Sequence, residues 1–456
     1  MAGIGFELRK FLAKDSYTSL ISAYGYVGIV TTGPWLLSML TILILALIGR
    51  SHHIPQEQTR DFEVIVVYLI AGSLVLSSIF QHSYTRYIAN QCYLKRYDKI
   101  VPTLNSIYSV MLLLSGSVGA IAIHFLLPDI ANQLKLIINA CFVVLCLIWV
   151  TTSVLSGLLA YKTIFFAFVG NFLVAITIGL LLHSFGLQGF MISYLCGQFF
   201  LLMILIYIIY TFYPSYELID YDFFRLKGTK IALFFTGIFY NIGIWADKFI
   251  FWYSPITGNT IIGGLHASIV YDTPIFIAYL AVIPAMIIFS LHIETDYAEA
   301  HEDLYKKICG DNTLSQIEMA YQNVLVAGRG AIYSVLKSGA YILVVGAMAG
   351  SGIFIWFNIP SVYLPLFCIC LLAASLNVIL LATLDIIFYL DKIQHAILIT
   401  FVFMMTNIIF SFISVHLGIF YFGYGLVASL LVTIMLSFVL LNRDLANLQY
   451  ETYMLQ

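Results

Sequence analysis

The feature that most limits what this chain can fold into is a near-unbroken succession of apolar runs, each about as long as a bilayer is thick. They fall at residues 18 to 48, 63 to 88, 103 to 127, 136 to 160, 163 to 183, 187 to 212, 230 to 253, 267 to 291, 331 to 357, 361 to 384, 393 to 417 and 420 to 441. A helix needs about 20 mostly apolar residues to cross the hydrocarbon layer. Hydrocarbon offers the backbone no hydrogen-bond partner, so runs of this length must be helices. The expected fold is therefore an all-α integral membrane protein of about twelve transmembrane helices, with little left for a soluble domain. Only 10% of the 456 residues are charged, against roughly 25% in an ordinary soluble domain. The first run is too long for a signal-peptide core and ends without a small-residue cleavage site, so it is expected to be retained as a span.

Several neighbouring runs are separated by only a few residues, with Tyr161 and Lys162 between the fourth and fifth. Those pairs must be antiparallel hairpins. Basic residues set the orientation, because cytoplasmic loops retain Lys and Arg. With the amino terminus inside, seventeen of the 21 Lys and Arg lie on the cytoplasmic side, including Arg9, Lys10, Lys14, Lys95, Arg96, Lys99, Arg225, Lys306, Lys307 and Arg443. Both termini are expected to be cytoplasmic. The expected organisation is an interfacial segment 1–17, a six-helix lobe 18–212, a cytoplasmic linker 213–229, a second six-helix lobe 230–441 with a cytosolic helical insertion 293–330, and a tail 442–456. Two six-helix halves entering from the same side form parallel repeats, a transporter plan with the path between halves.

Two elements outside the spans are expected to be helical. Residues 1 to 16 place Ile4, Leu8, Phe11 and Leu12 at helical spacing with Arg9, Lys10 and Lys14 on other faces, as in a helix lying on anionic membrane lipid. The insertion is expected to form two cytosolic helices. In the second, Thr313 and Gln316 have capping-box spacing, and Leu314, Ile317, Tyr321 and Leu325 form one apolar stripe that packs either on the chain's own underside or on a cytosolic partner.

Charges inside spans cost about 2.5 to 3.5 kcal/mol each at the helix centre and so mark functional candidates. Asp247 and Lys248 in the seventh run and Asp272 in the eighth share a depth, with Asn241 and Trp245 on the same helix as the first two. The expectation is that Lys248 pairs with Asp272 while Asp247 faces the substrate path; the alternative is a purely stabilising ion pair. Gln81 and Arg86 lie in the polar inner third of the second run, and Thr31 and Thr32 precede Gly33 and Pro34 in the first. Gly33, Pro34, Pro274 and Pro284, with Pro365 in the tenth run, free backbone groups and permit bending. These are candidate path and hinge residues, although a kinked but static helix explains such prolines equally simply.

Other chemistry is poorly represented. The formal net charge of −2 and the lack of any basic tract leave no nucleic-acid partner. The seven cysteines show no Cys-x-x-Cys spacing and read as buried thiols, so no metal or other cofactor is called for. Asp61-Phe62-Glu63 resembles the acidic pair of membrane glycosyltransferases, but the outer loops are too short for an acceptor site. No phosphate-binding glycine loop precedes a Lys-Ser/Thr pair. A catalytic role is not expected.

The amino-terminal sequence Met1-Ala-Gly-Ile-Gly-Phe-Glu-Leu-Arg-Lys10, with Asp15-Ser16-Tyr17, Ala23-Tyr24-Gly25-Tyr26 and Gly33-Pro34-Trp35, resembles the PelG family of inner-membrane transporters of the Pel exopolysaccharide. Thr85-Arg86-Tyr87-Ile88-Ala89, Ile293-Glu294-Thr295-Asp296-Tyr297-Ala298-Glu299, Phe388-Tyr389-Leu390-Asp391 and Tyr424-Gly425 extend the resemblance end to end. It implies two six-helix lobes similar to the multidrug and oligosaccharidyl-lipid flippase superfamily, and a place in the bacterial inner membrane. It also implies export of an N-acetylgalactosamine-rich polysaccharide, a cytosolic Pel glycosyltransferase as partner, and inner-membrane Pel subunits that include a cyclic-di-GMP receptor. An autonomous ion-coupled antiporter or lipid-linked sugar flippase, and a non-transporting scaffold for the glycosyltransferase, are the competing readings. The orientation has a direct check: alkaline phosphatase fused after Gln456 is expected to be inactive, and an active fusion would place the carboxyl terminus outside.

Overall fold

The computed structural model describes Gly28 and residues 33–155, 161–225, 228–310, 312–356 and 359–454. The amino-terminal interfacial segment, Thr31 and Thr32 lie outside the described residues. Helices α1 to α6 span Gly33–Ser51, Gln56–Tyr93, Ile100–Leu126, Asn132–Leu155, Tyr161–Leu182 and Gly186–Phe212, and α7 spans Gly228–Tyr253. Then come α8 (Ile269–Ala281), α9 (Ile283–His292), a π-helix (Ile293–Tyr297), α10 (Ala298–Cys309), α11 (Leu314–Trp356), α12 (Leu364–Tyr389), α13 (Ile393–Leu417) and α14 (Tyr424–Met454). If α8 and α9 count as one broken span and α10 as its extension, the described residues make twelve helical crossings. The chain is a multi-pass membrane protein.

The helices group into two compact units. One holds Gly33–Ile242 and Gly258–Ala267; the other holds Gly243–Thr257 and the residues from Ser268 onward. In the first unit α2, α4 and α6 pack around a core that includes Phe62, Leu69, Cys141, Leu145, Phe190 and Tyr194. The turn from α5 to α6 is a single 3₁₀ turn, His183–Phe185, closed by Gly186 at φ +59°, a backbone setting that side chains resist. The segment after α6 is packed rather than free. Lys99 Nζ lies 2.7 Å from Glu217 and 3.3 Å from Asp220, the Asn105 amide donates to the Leu218 carbonyl at 2.8 Å, and Phe223 is buried against the rings of Tyr84 and Tyr87. A short antiparallel pair, Asn259–Ile262 with Leu265–Ala267, is held to the unit by Tyr68, whose hydroxyl donates to the His266 carbonyl at 2.9 Å. Hydrophobic patterning gave no sign of these strands, because four and three residues are too few to establish a period.

In the second unit α12 is the central helix, packed against α8, α11 and α14. The expected pair of separate cytosolic helices takes a different form. The first, α10, continues α9 through the π-helix, and the second is the opening of α11, a single helix of 43 residues about 65 Å long. No proline interrupts residues 314–356, so the polar opening of this helix and its apolar stretch run together. The Gln316 side chain accepts from the Thr313 amide at 3.0 Å, one half of a capping box. Pro284 stands in the first turn of α9, next to a 42° bend between α8 and α9, and Pro274 lies inside α8. Pro365 falls in the first turn of α12, where a proline is accommodated without a kink.

Gly425 of α14 meets the backbone of α13 so closely that an added Cβ would overlap the Phe410 carbonyl and crowd Ser411 Cα. The obstacle is main chain, which cannot rotate aside. Gly425→Ala is expected to lower the folded fraction and apparent Tm in a detergent extract, whereas Gly352→Ala, with open space at the same position, should leave both unchanged.

Candidate functional site

The charged residues picked out in the seventh and eighth runs converge within the second unit. Asp247 is completely buried and Lys248 is 9% exposed. The two sit next to each other on α7, about 100° apart around the helix, yet the flexible lysine stem folds back. Lys248 Nζ donates to Asp247 Oδ1 and Oδ2 at 3.2 and 3.1 Å and to the Ile244 carbonyl at 2.8 Å. Asp247 Oδ2 also accepts the Tyr271 hydroxyl of α8 at 2.6 Å. The ammonium lies over two aromatic rings, 5.8 Å from the Trp245 ring centre and 5.5 Å from that of Tyr279.

The expected partnership of Lys248 with Asp272 is therefore replaced by one between adjacent residues. Asp272 is otherwise engaged. Its carboxylate accepts the Trp252 indole N–H at 2.8 and 2.9 Å and the Ser268 backbone N–H at 3.0 Å, where α8 begins. A carboxylate at a helix amino terminus is favoured by the unpaired amides there. Phe251 stacks on Tyr271 with ring centres 3.9 Å apart and meets Phe422 edge-on at 5.1 Å. Sequence reasoning missed Tyr271, Trp252 and Tyr279. The available signal was their helical spacing: Tyr271 precedes Asp272, and Trp252 follows Lys248 by one turn.

The remaining candidates are distributed differently. The Trp245 indole nitrogen is buried with no hydrogen-bond partner. Gln81, half-buried on α2, donates to Ser77 Oγ at 3.1 Å, and Arg86 on the same helix is exposed. Asn241 donates to the Gly237 carbonyl one turn back at 3.1 Å. These three belong to the first unit. Gly33 and Pro34 open α1. On α11 the apolar stripe divides: Leu314 is 70% exposed, Ile317 and Leu325 are half-buried, and Tyr321 is buried with its hydroxyl donating to the Leu445 carbonyl of α14 at 2.6 Å. The same end of α14 is tied to α13 by His395 Nδ1 and Asp444 Oδ2 at 2.7 Å. Among the described residues no group of His, Cys, Asp and Glu is arranged to hold a metal.

The model of the PelG exopolysaccharide exporter (EPS-E) family matches residues 1–453. The chain belongs to the PelG family. Solved structures agree on the fold. A MATE transporter in its bent conformation superposes with a TM-score of 0.63 at 13% identity over 94% of this chain and 97% of that one. An outward-facing multidrug resistance MATE transporter of the MOP superfamily gives 0.62 at 14% identity over 93% and 96%. A MOP transporter from Pyrococcus furiosus, described as having a binding pocket of reversed polarity, gives 0.61 at 13% identity over 93% and 96%. A search of curated proteins finds no match. Family and fold together make this PelG-family member a transporter with a flippase-like fold, as the resemblance implied.

The ion pair has an energetic test. Removing one partner of a buried pair costs about 3–5 kcal/mol, because the other charge is left uncompensated. Asp247→Ala is expected to collapse the folded yield, and Asp247→Asn combined with Lys248→Met to restore most of it. Asp272→Ala should cost less, since the groups it frees, an indole N–H and a helix-end amide, are neutral. Fluorescence-detected size exclusion of detergent extracts reads all three.

Proposed function

We propose that this chain exports the Pel exopolysaccharide, an N-acetylgalactosamine-rich polymer, from cytoplasm to periplasm across the bacterial inner membrane as a cytosolic glycosyltransferase makes it. The observation that carries this reading is the match to an exopolysaccharide exporter family along 453 of 456 residues. Both termini lie in the cytoplasm, where the basic residues concentrate. The division into lobes 18–212 and 230–441 follows the counting of spans.

In this reading the candidates for the path are Gln81, Arg86, Asn241, Trp245, the Asp247–Lys248 pair and Asp272, together with Thr31 and Thr32. Gly33, Pro34, Pro274 and Pro284 serve as hinges. The cytosolic opening of α11, with Leu314, Ile317 and Leu325 still accessible, receives the glycosyltransferase, while Tyr321 braces that opening on α14. Inner-membrane Pel subunits, one of them a cyclic-di-GMP receptor, complete the assembly.

Reconstitution into vesicles with the glycosyltransferase and nucleotide sugar is expected to deliver polymer to the compartment opposite the enzyme. Polymer remaining entirely on the enzyme's side would leave a scaffold role only. Within that assay the Asp247→Asn, Lys248→Met pair is expected to reduce transfer severalfold at normal abundance; unchanged transfer would remove these residues from the path.

A further inference from the structure

Helix α11 turns one side to the second unit and leaves the other bare. On the packed side Gly328 meets the Tyr297 ring, Gly339 meets Ser375 of α12 and Gly346 meets Leu371. On the opposite side an added Cβ at Gly330 would meet nothing within 4 Å, and Tyr333 and Tyr341 are 66% and 61% exposed. Arg329 and Lys337 are exposed as well. Arg329, Tyr333, Lys337 and Tyr341 recur every four residues, so cation and ring alternate along one side of the helix. The Lys337 ammonium stands 6.0 Å from the Tyr341 ring centre.

Among the described residues neither cation has a carboxylate to pair with. The chain carries no Asp or Glu from residue 319 to residue 384. On the adjoining α10, Glu302 and Asp303 are paired with Lys306 and Lys307 at 2.6 and 2.8 Å. Depth identifies the anion within reach. From Lys337 to the exposed Trp356 the helix rises about 29 Å, close to the hydrocarbon thickness of about 30 Å. Lys337 therefore stands at the headgroup level, and Arg329 about 12 Å beyond it along the axis. A protein partner would have to carry a carboxylate to the edge of the apolar layer at a cost. Lipid supplies phosphate there already.

We propose that Arg329, Gly330, Tyr333 and Lys337 form a binding site for an anionic phospholipid, in the leaflet at the amino-terminal end of α11. Long flexible stems let the guanidinium and the ammonium close on one headgroup from either side. The Tyr333 hydroxyl donates to a phosphate oxygen, and the gap at Gly330 admits the headgroup close to the helix. The acyl chains run along Val344 and Met348, which are 60% and 78% exposed. Two cations at one headgroup favour a lipid of net negative charge over a zwitterionic one. Arg329 stands on the polar opening of α11 and Lys337 on its apolar stretch, so one bound lipid ties the two together. This site is independent of what the chain exports.

The test is native mass spectrometry of the purified full-length protein in detergent, titrated with phosphatidylglycerol or with phosphatidylcholine. Phosphatidylglycerol is expected to bind in preference. Arg329→Gln combined with Lys337→Gln should weaken it about thirtyfold, the loss of two cations beside an anionic headgroup, and leave phosphatidylcholine unaffected. Both positions are exposed, so the folded yield should hold. Gly330→Leu keeps both charges and should also weaken binding, by filling the gap. Arg443→Gln, which removes an exposed cation of α14, should leave affinity unchanged. Equal affinity in wild type and double variant would overturn the proposal, as would an equal loss from Arg443→Gln, the mark of diffuse attraction. Displacement of the lipid by inorganic phosphate would assign the site to the free ion instead. A photo-crosslinker in place of Tyr333 that captures a protein rather than lipid in native membranes would likewise sink it.

Discussion

Inside the hydrocarbon layer no water is available to accept or donate a hydrogen bond, and every described part of this chain reflects that restriction. Backbone groups are satisfied within helices. Many buried threonine and serine hydroxyls are satisfied the same way: Thr41 donates to the Leu37 carbonyl at 2.8 Å, Thr151 to Leu147 at 2.6 Å, Ser193 to Gly189 at 2.6 Å and Thr400 to Ala396 at 3.0 Å. Each bond closes one turn back on its own helix. Polar side chains can therefore be carried through the membrane without depending on a neighbouring helix, which leaves helix packing free to be set by shape. The β-hairpin and the segment after α6, by contrast, are fixed by bonds to other elements.

The spans were legible because length and hydropathy alone decide them: about 20 apolar residues admit one structure in lipid. Short elements outside the membrane were not. The hairpin at residues 259 to 267 carries too little pattern, and nothing in sequence distinguishes a cytosolic helix that stands alone from one continuing into a span, as α11 does. The π-helix was also invisible, since one extra residue in a turn leaves composition unchanged. At the candidate site, shared depth correctly brought Asp247, Lys248 and Asp272 into one region. Their pairing was misjudged because helical spacing treats side chains as rigid spokes. A lysine reaches back along its helix to Ile244 and sideways to its neighbour, and an indole donor one turn on, Trp252, had already claimed Asp272.

Irregular backbone in the second unit concentrates in one stretch, residues 269 to 309. It contains Pro274, the 42° bend before Pro284, and the π-helix. Each feature weakens or displaces some of the ladder bonds that stiffen an ordinary helix. The neighbouring helices α11 and α12 are uninterrupted over 43 and 26 residues. A change of shape within the unit is thus cheapest along this stretch, which carries Tyr271 and Asp272 near its beginning and Glu294 beyond its bend.

The buried charge pair of the unit answers its desolvation cost locally. Asp247 and Lys248 are consecutive on one helix, so their attraction hardly changes when helices shift against each other. The pair is insensitive to conformation by construction.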